Sequence, residues 1–268
     1  MSVNKINTAT ALTPTANALG VFAPDWPAPA NVKALQTTRN GFTDDGIANR
    51  SGLSLPPFDR FNLGSHVNDN PEHVAANRAL LTQVLPQAPA WLNQVHGITI
   101  VDAAKISAPV DADASFTRTH GVVSVVMTAD CLPLLFCDQA GTVVAAAHAG
   151  WRGLCNGVIE ATVAKMACPV SEILVWLGPA IGPKTFEVGD EVRAAFMAID
   201  AQAEQAFVAQ DGGKWLADIY LLARQRLHTL GITTIYGGDQ CTVTQAETYF
   251  SYRRDGQTGR LASLIWLE

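Results

Sequence analysis

Short apolar runs alternate along this chain with segments of helical period, and clusters of Gly, Pro, Asn and Asp separate them. Asn31 to Thr37 reads as a strand that stops at the turn Thr38-Arg39-Asn40-Gly41. Residues 42–60, rich in Gly, Pro and Asp, read as a loop, and Phe61 to Val67 as a short strand running into another loop. A helix is predicted to begin at Asn70: its side chain caps, Pro71 takes the first helical position, and Glu72 complements the dipole. Val74, Ala75, Leu80, Leu81 and Val84 suit one buried face, and Pro86 ends the helix.

Trp91 to Val101 predicts two strand pieces around His96-Gly97. Gly121 to Asp130 is a valine-rich strand, Leu132 to Cys137 a second apolar run, and Thr142 to His148 a strand buried on both faces. Gly150-Trp151-Arg152-Gly153 turns the chain into a helix over roughly Leu154 to Met166. Glu172 to Gly178 is a strand leading into a Gly-Pro loop. Glu187 to Ile199 and Trp215 to Leu230 read as helices, Ile232 to Tyr236 and Leu261 to Leu267 as strands. No internal repeat interrupts this order. Helices and strands alternate without strict βαβ spacing, which predicts an α/β layered domain with mixed sheets over a doubly wound one.

Composition narrows the function classes. The chain has 268 residues, enough for one large domain or two small ones. It is 48% hydrophobic and 16% charged, so a sizeable core is available. A net charge of −6 without any Lys/Arg run argues against nucleic acid, which needs a basic footprint. A small anionic substrate stays compatible, because one or two placed arginines suffice. The five cysteines (131, 137, 155, 168, 241) are odd in number and irregularly spaced, as reduced thiols of a cytoplasmic protein would be. Thr, Pro and Asn break up the first residues, so residues 1–20 are read as a flexible extension without a signal peptide, and 21–268 as a single catalytic domain. No apolar stretch approaches the roughly 18 residues a membrane span requires.

Three residues stand out by position. His96, Cys131 and His148 each lie at or just past the end of an apolar strand, where a rigid scaffold presents side chains to a shared cleft. Cys and His suit zinc, and three protein ligands with an open fourth position is the catalytic pattern. Spacing alone favours a plainer reading, a buried thiol and two satisfied histidines, because no CxxC or HExxH pair anchors the set. Arg152 stands at a helix start, where free N–H groups favour an anion; a surface arginine is an equal reading. Gln94 shares a strand face with His96 and either orients substrate or lines the sheet. Asp130 is either a partner of a ligand or a turn former. Arg253, Arg254 and Asp255 read as structural loop contacts, and Cys137 as core. Dinucleotide, P-loop and zinc-deaminase signatures are absent.

Six motifs in one order carry a resemblance: NLGSHV (62–67), NQVHG (93–97), TADCLPLLF (128–136), AAHAGWRG (146–153), LGPAIGP (177–183) and FSYRRDGQTGR (250–260). Together they are similar to the YfiH family, also called the FAMIN or multicopper polyphenol oxidoreductase family, from about Gln36 onward. The resemblance implies a four-layer α/β/β/α sandwich like the catalytic part of cytotoxic necrotizing factor, with zinc on His96, Cys131 and His148. It implies phosphorolysis of purine nucleosides (adenosine, inosine, guanosine, methylthioadenosine) and adenosine deamination, so the partners are a nucleoside and phosphate. It draws Arg152 toward the site and places Arg39 and His66 near the substrate's polar end. Some bacterial relatives are instead named peptidoglycan editing factors, which makes a hydrolase of a wall-precursor amide the competing reading. A copper oxidase ranks third: His₂Cys suits copper, but six histidines are too few for a multicopper centre. A scaffold with a structural metal would lack a fourth ligand. Oligomeric state is not legible.

Overall fold

The computed structural model describes residues 20–41 and 52–268. The extension expected over residues 1–20 lies outside the described residues except for Gly20, and so does much of the 42–60 loop; residues 52–60 carry neither helix nor strand. The first strands, β1 (Val21–Phe22) and β2 (Val32–Thr37), pair antiparallel. Helix α1 (Pro71–Thr82) starts as predicted, with Asn70 Oδ1 accepting the Glu72 N–H at 2.9 Å. Its inward face differs: Val74, Asn77 and Leu81 are buried, whereas Ala75 and Val84 are exposed. Asn77 tolerates burial because its amide donates to Ser54 Oγ and the carbonyls of Arg60 and Asn62, while its oxygen accepts the Leu53 N–H.

Next come β3 (Ile100–Asp102), β4 (Ala114–Thr117), β5 (Ser124–Thr128), β6 (Leu132–Asp138) and β7 (Val144–Ala149). Of the two strand pieces expected around His96, the first does not form and the second appears only from Ile100, as β3. The segment before it meets its neighbours through the bridges Ala90–Ser124 and Asn93–Asp111 and through Gln94, which bonds Met127 of β5. Strand β4 was not legible, since ASFT holds one large apolar residue. The helix expected after residue 153 is two, α2 (Trp151–Asn156) and α3 (Val158–Met166), split where Gly157 takes φ 101°.

The remainder is β8 (Ile173–Leu177), β9 (Glu187–Gly189), α4 (Asp190–Met197), β10 (Phe207–Gln210), β11 (Lys214–Ala217), α5 (Ile219–Thr229), β12 (Ile235–Gly237), α6 (Tyr252–Asp255) and β13 (Leu261–Leu267). Two predicted helices therefore start late. The first residues of each form β9 and β11, which pair with one another.

A four-stranded antiparallel sheet has the order β1-β2-β13-β5, and a six-stranded mixed sheet the order β12-β8-β6-β7-β4-β3. Strand alternation divides their side chains among three cores. From β13, Ala262, Leu264 and Trp266 pack with Leu81 of α1, while Ile265 and Leu267 meet Leu135, Val144 and Trp176 of the other sheet. On the far face of the six-stranded sheet, Leu134, Phe136, Ala145 and Ala147 pack against Leu154, Ile159 and Leu222 of the helices. The result is the α/β/β/α layering. Along β7, His148 shares its face with Val144 and Ala146, so it stands at the rim of the layer between the sheets.

Candidate metal and substrate site

Cys131 lies where the chain crosses from one sheet to the other, in the short link Ala129–Cys131 between β5 and β6. Asp130 in that link is left-handed (φ 89°) and is fastened by two bonds: its carboxylate accepts Thr242 Oγ1 and the Arg253 N–H, each at 2.6 Å. Asp130 thus shapes the turn and contacts no ligand. Pro133 pairs with His148 across β6 and β7, which brings the two strand ends together. His96 arrives from its own loop with φ 60°.

The side-chain donors of His96, Cys131 and His148 all lie within 4.8 Å of one another, and Cys131 Sγ is 3.7 Å from His96 Nε2. Thiolate and imidazole ligands of one tetrahedral zinc stand about 3.5 Å apart, from metal–ligand distances of about 2.3 and 2.0 Å. The donor set and its spacing fit a metal ion. Gly150 makes the convergence possible: a Cβ there would sit 2.7 Å from His96 Cδ2 and 3.0 Å from Cys131 Sγ. That is the physical content of the AGWRG motif.

Asp113, absent from the sequence reading, organises the site. It is fully buried just before β4 and lies 2.8 Å from His148 Nδ1. Its oxygens also accept the N–H groups of Val95, His96 and Gly97 at 3.2, 2.9 and 2.6 Å. These bonds hold His96 in a left-handed conformation that costs a non-glycine residue about 1–2 kcal/mol. An ionised carboxylate only accepts, so His148 Nδ1 carries a proton, which leaves Nε2 as the atom a metal would use. Burial alone would raise the Asp113 carboxyl, but the bonds from His148, Gly97 and Val95 outweigh it and hold it below the usual range. Burial likewise opposes charge on Cys131 and His148. Their mutual attraction wins, lowering the thiol with help from His96 and raising the imidazole with help from Asp113.

A cavity of about 400 Å³ opens over this cluster. His66, Gln94, Thr128 and Arg260 wall it, and the exposed ring of Tyr252 stands at its rim. None of its lining residues is a carboxylate. Burial first, then the charges of Arg260 and Arg78, push His66 down, so it is a neutral donor beside a fixed cation. Of the residues singled out in the sequence, His96, Cys131, His148, His66 and Gln94 meet here. Gln94 is spoken for at both ends, donating to the Met127 carbonyl and accepting its N–H, each at 2.7 Å. Arg39 and Arg152 do not line the cavity. Arg39 donates to the carbonyls of Ala246 and Asp59 and lies over Phe250. Arg152 is exposed on α2, stacked 4.4 Å over Trp151. Arg260 was missed because it shares residues 253–260 with two other arginines, Arg253 and Arg254; its place immediately before β13 was the available signal. Arg253 and Arg254 do make loop contacts, to the carbonyls of Glu187, Thr242 and Tyr249. Cys137 is core, and burial pushes its thiol up to about 12.

The fold and site define a four-layer α/β protein with a three-residue cluster that could hold a metal, beneath a cavity lined by an arginine and no carboxylate. The chain belongs to the family described as multi-copper polyphenol oxidoreductase laccase, whose model matches residues 46–268. Among curated relatives, it is 56% identical to the purine nucleoside phosphorylase YfiH of Escherichia coli (strain K12) over 250 residues, covering 92% of this chain and 98% of that one. It is 54% identical to the purine nucleoside phosphorylase PA4543 of Pseudomonas aeruginosa, again over 92% and 98% of the two chains. Among solved structures, Neisseria meningitidis protein NMB0706 matches with a TM-score of 0.87 at 51% identity, over 93% of this chain and 99% of that one. YlmD from Geobacillus stearothermophilus matches with a TM-score of 0.78 at 28% identity, over 89% and 93%. Among the described residues no helix is long and apolar enough to cross a membrane.

Proposed function

We propose that this chain is a zinc-dependent purine nucleoside phosphorylase acting on adenosine, inosine, guanosine or methylthioadenosine. The observation that carries the reading is the charge of the cavity. In a chain of net charge −6, the residues over the His96-Cys131-His148 cluster include Arg260, His66 and no carboxylate. Such a site favours a small anion beside a polar substrate. The names of the close relatives supply the substrate class.

His96 Nε2, Cys131 Sγ and His148 Nε2 would hold the metal, which when bound supplies Lewis acidity to an oxygen of the sugar or the phosphate. Zinc fits better than a multicopper centre, because the described residues hold one such donor group and the whole chain has six histidines. Arg260 places its guanidinium against the phosphate, and neutral His66 donates a hydrogen bond to it. A phosphate oxygen then bonds to the anomeric carbon as the bond from that carbon to the purine nitrogen breaks. The departing base takes the electron pair and the proton that hydrogen phosphate gives up as it becomes the ester. Tyr252 at the rim offers a ring face to the purine.

The deciding experiment is product analysis with adenosine or inosine, with and without phosphate. Phosphate-dependent release of purine with ribose 1-phosphate is expected. Full-rate cleavage to free ribose without phosphate would replace the phosphorylase by a hydrolase. With adenosine, inosine or hypoxanthine beside adenine would reveal the deaminase side activity.

A further inference from the structure

We propose that a second cavity, walled by Phe22, Trp176 and Tyr249 with Asp25 and Asp239 among its lining, binds a small cationic nitrogen heteroaromatic compound bearing an amino group. It measures about 460 Å³ and lies where the edge strands β1 and β12, and β8 beside β12, border the layer between the sheets. It shares no lining residue with the cavity over the metal-binding cluster. Tyr249, Phe250 and Leu261 form a packed group touching Ala129, and Ala129 lines that other cavity.

Two unpartnered donors on otherwise buried side chains open into this cavity. Tyr249 is 2% exposed and Trp176 5% exposed, yet neither the phenol hydroxyl nor the indole N–H has a hydrogen-bond partner among the described residues. Buried Tyr and Trp usually satisfy these groups. Tyr220 in this same chain does so, donating to the Gln240 carbonyl at 2.6 Å and accepting the Ala180 N–H at 2.8 Å. The free groups of Tyr249 and Trp176 are not among the fully enclosed ones, so the cavity that both residues line is their opening.

Charge selects the ligand class. Asp25 and Asp239 are exposed, take part in no ion pair among the described residues, and face no cationic side chain in the lining. Asp239 is close enough to Tyr249 to raise its phenol further after burial has done so, which keeps the hydroxyl a donor. An aromatic ring fills the space between the aromatic walls. Its ring nitrogens or substituents accept from Tyr249 and Trp176, and its protonated amino group meets the carboxylates. The cavity over the metal-binding cluster has the opposite charge and rejects the same cation, so one probe separates the two sites.

The test is calorimetric titration of the full, metal-loaded chain at neutral pH with 4-(aminomethyl)pyridine, whose ring nitrogen accepts while its amino group is protonated, and with anionic indole-3-acetate for comparison. One cation per chain is expected, with little or no binding of the anion. Asp239→Asn should weaken the cation several-fold and Tyr249→Phe by about tenfold, the scale of one buried hydrogen bond. Nucleoside turnover should be unchanged in both variants. No binding of the cation at millimolar concentration, equal binding of the anion, or affinity untouched by both substitutions would overturn the proposal. Asp239 is on the surface, so its variant decides the matter even where Tyr249→Phe impairs folding.

Discussion

The carboxylate of Asp113 lies 2.8 Å from His148 Nδ1 and, in the same buried position, accepts the backbone N–H of His96 at 2.9 Å. One residue therefore fixes the ring of one histidine and the backbone of the other. Asp113→Asn keeps the shape but removes the charge and puts a donor where only acceptors fit. Metal affinity is expected to fall about 10- to 100-fold, the usual cost of losing a partner behind a ligand. Competition with a chelator measures it; affinity equal to the parent protein would deny Asp113 this role.

His96→Ala, Cys131→Ala and His148→Ala should each abolish turnover and lower bound metal, while circular dichroism stays close to the parent. Elemental analysis should find near one zinc per chain in the parent and copper at trace level. Cys137→Ala is the control and should remain active, because Cys137 lies between the sheets. Gly150→Ala should resemble the ligand variants, since its new methyl group would press on His96 and Cys131 at 2.7 and 3.0 Å.

Arg260→Ala should raise the KM for phosphate about 10- to 100-fold, the scale of a charge-assisted contact. Arg260→Lys should recover only part, because an ammonium cannot reproduce the planar fork. Arg152→Ala is the comparison, its guanidinium being stacked on Trp151 at the surface. A phosphate KM that moves with Arg152 and not with Arg260 would relocate the anion site to α2.

In the metal-stripped protein, Cys131 should react with iodoacetamide at neutral pH faster than an ordinary thiol. Its thiol is lowered, so the reactive thiolate is the larger fraction at pH 7 and declines only on acidification. Cys137, pushed up to about 12, should stay unlabelled. Mass spectrometry of the alkylated peptides reads both, and restored metal should protect Cys131.

Much of this architecture is legible in the amino-acid sequence where apolar runs are long. Strands β5, β6, β7, β8 and β13 follow from their unbroken apolar character, and with them the positions of Cys131 and His148. Other parts leave weaker marks. Asp113 sits in DADA (111–114), an alternation of small and acidic residues that looks like a turn until β4 is known to pair beside β7. His96-Gly97 reads as an interruption between strands, whereas the backbone there is a left-handed turn made by a carboxylate sixteen or seventeen residues away. Periodicity places Val84 inward, but the chain instead spends that face on Asn77.

Asn77→Ala tests that last point. It would leave the Leu53 N–H and the Asn62 carbonyl without their partner beneath α1, while the Arg60 carbonyl keeps the Ser54 N–H. Stability is expected to drop by about 2–3 kcal/mol, the cost of buried groups left unpaired, seen as a lower urea midpoint. A midpoint matching the parent would mean that water replaces the amide.

Strand β13 occupies the middle of the four-stranded sheet, between β2 and β5, yet it follows every other strand in the chain. Until residues 261–267 are made, nothing in this sheet joins β2 to β5. Arg260, which leads into β13, reaches the cavity only when that strand is in place. The donors His96, Cys131 and His148 are thus synthesised well before the wall that carries Arg260. The cavity over them is completed last, with the insertion of a single strand.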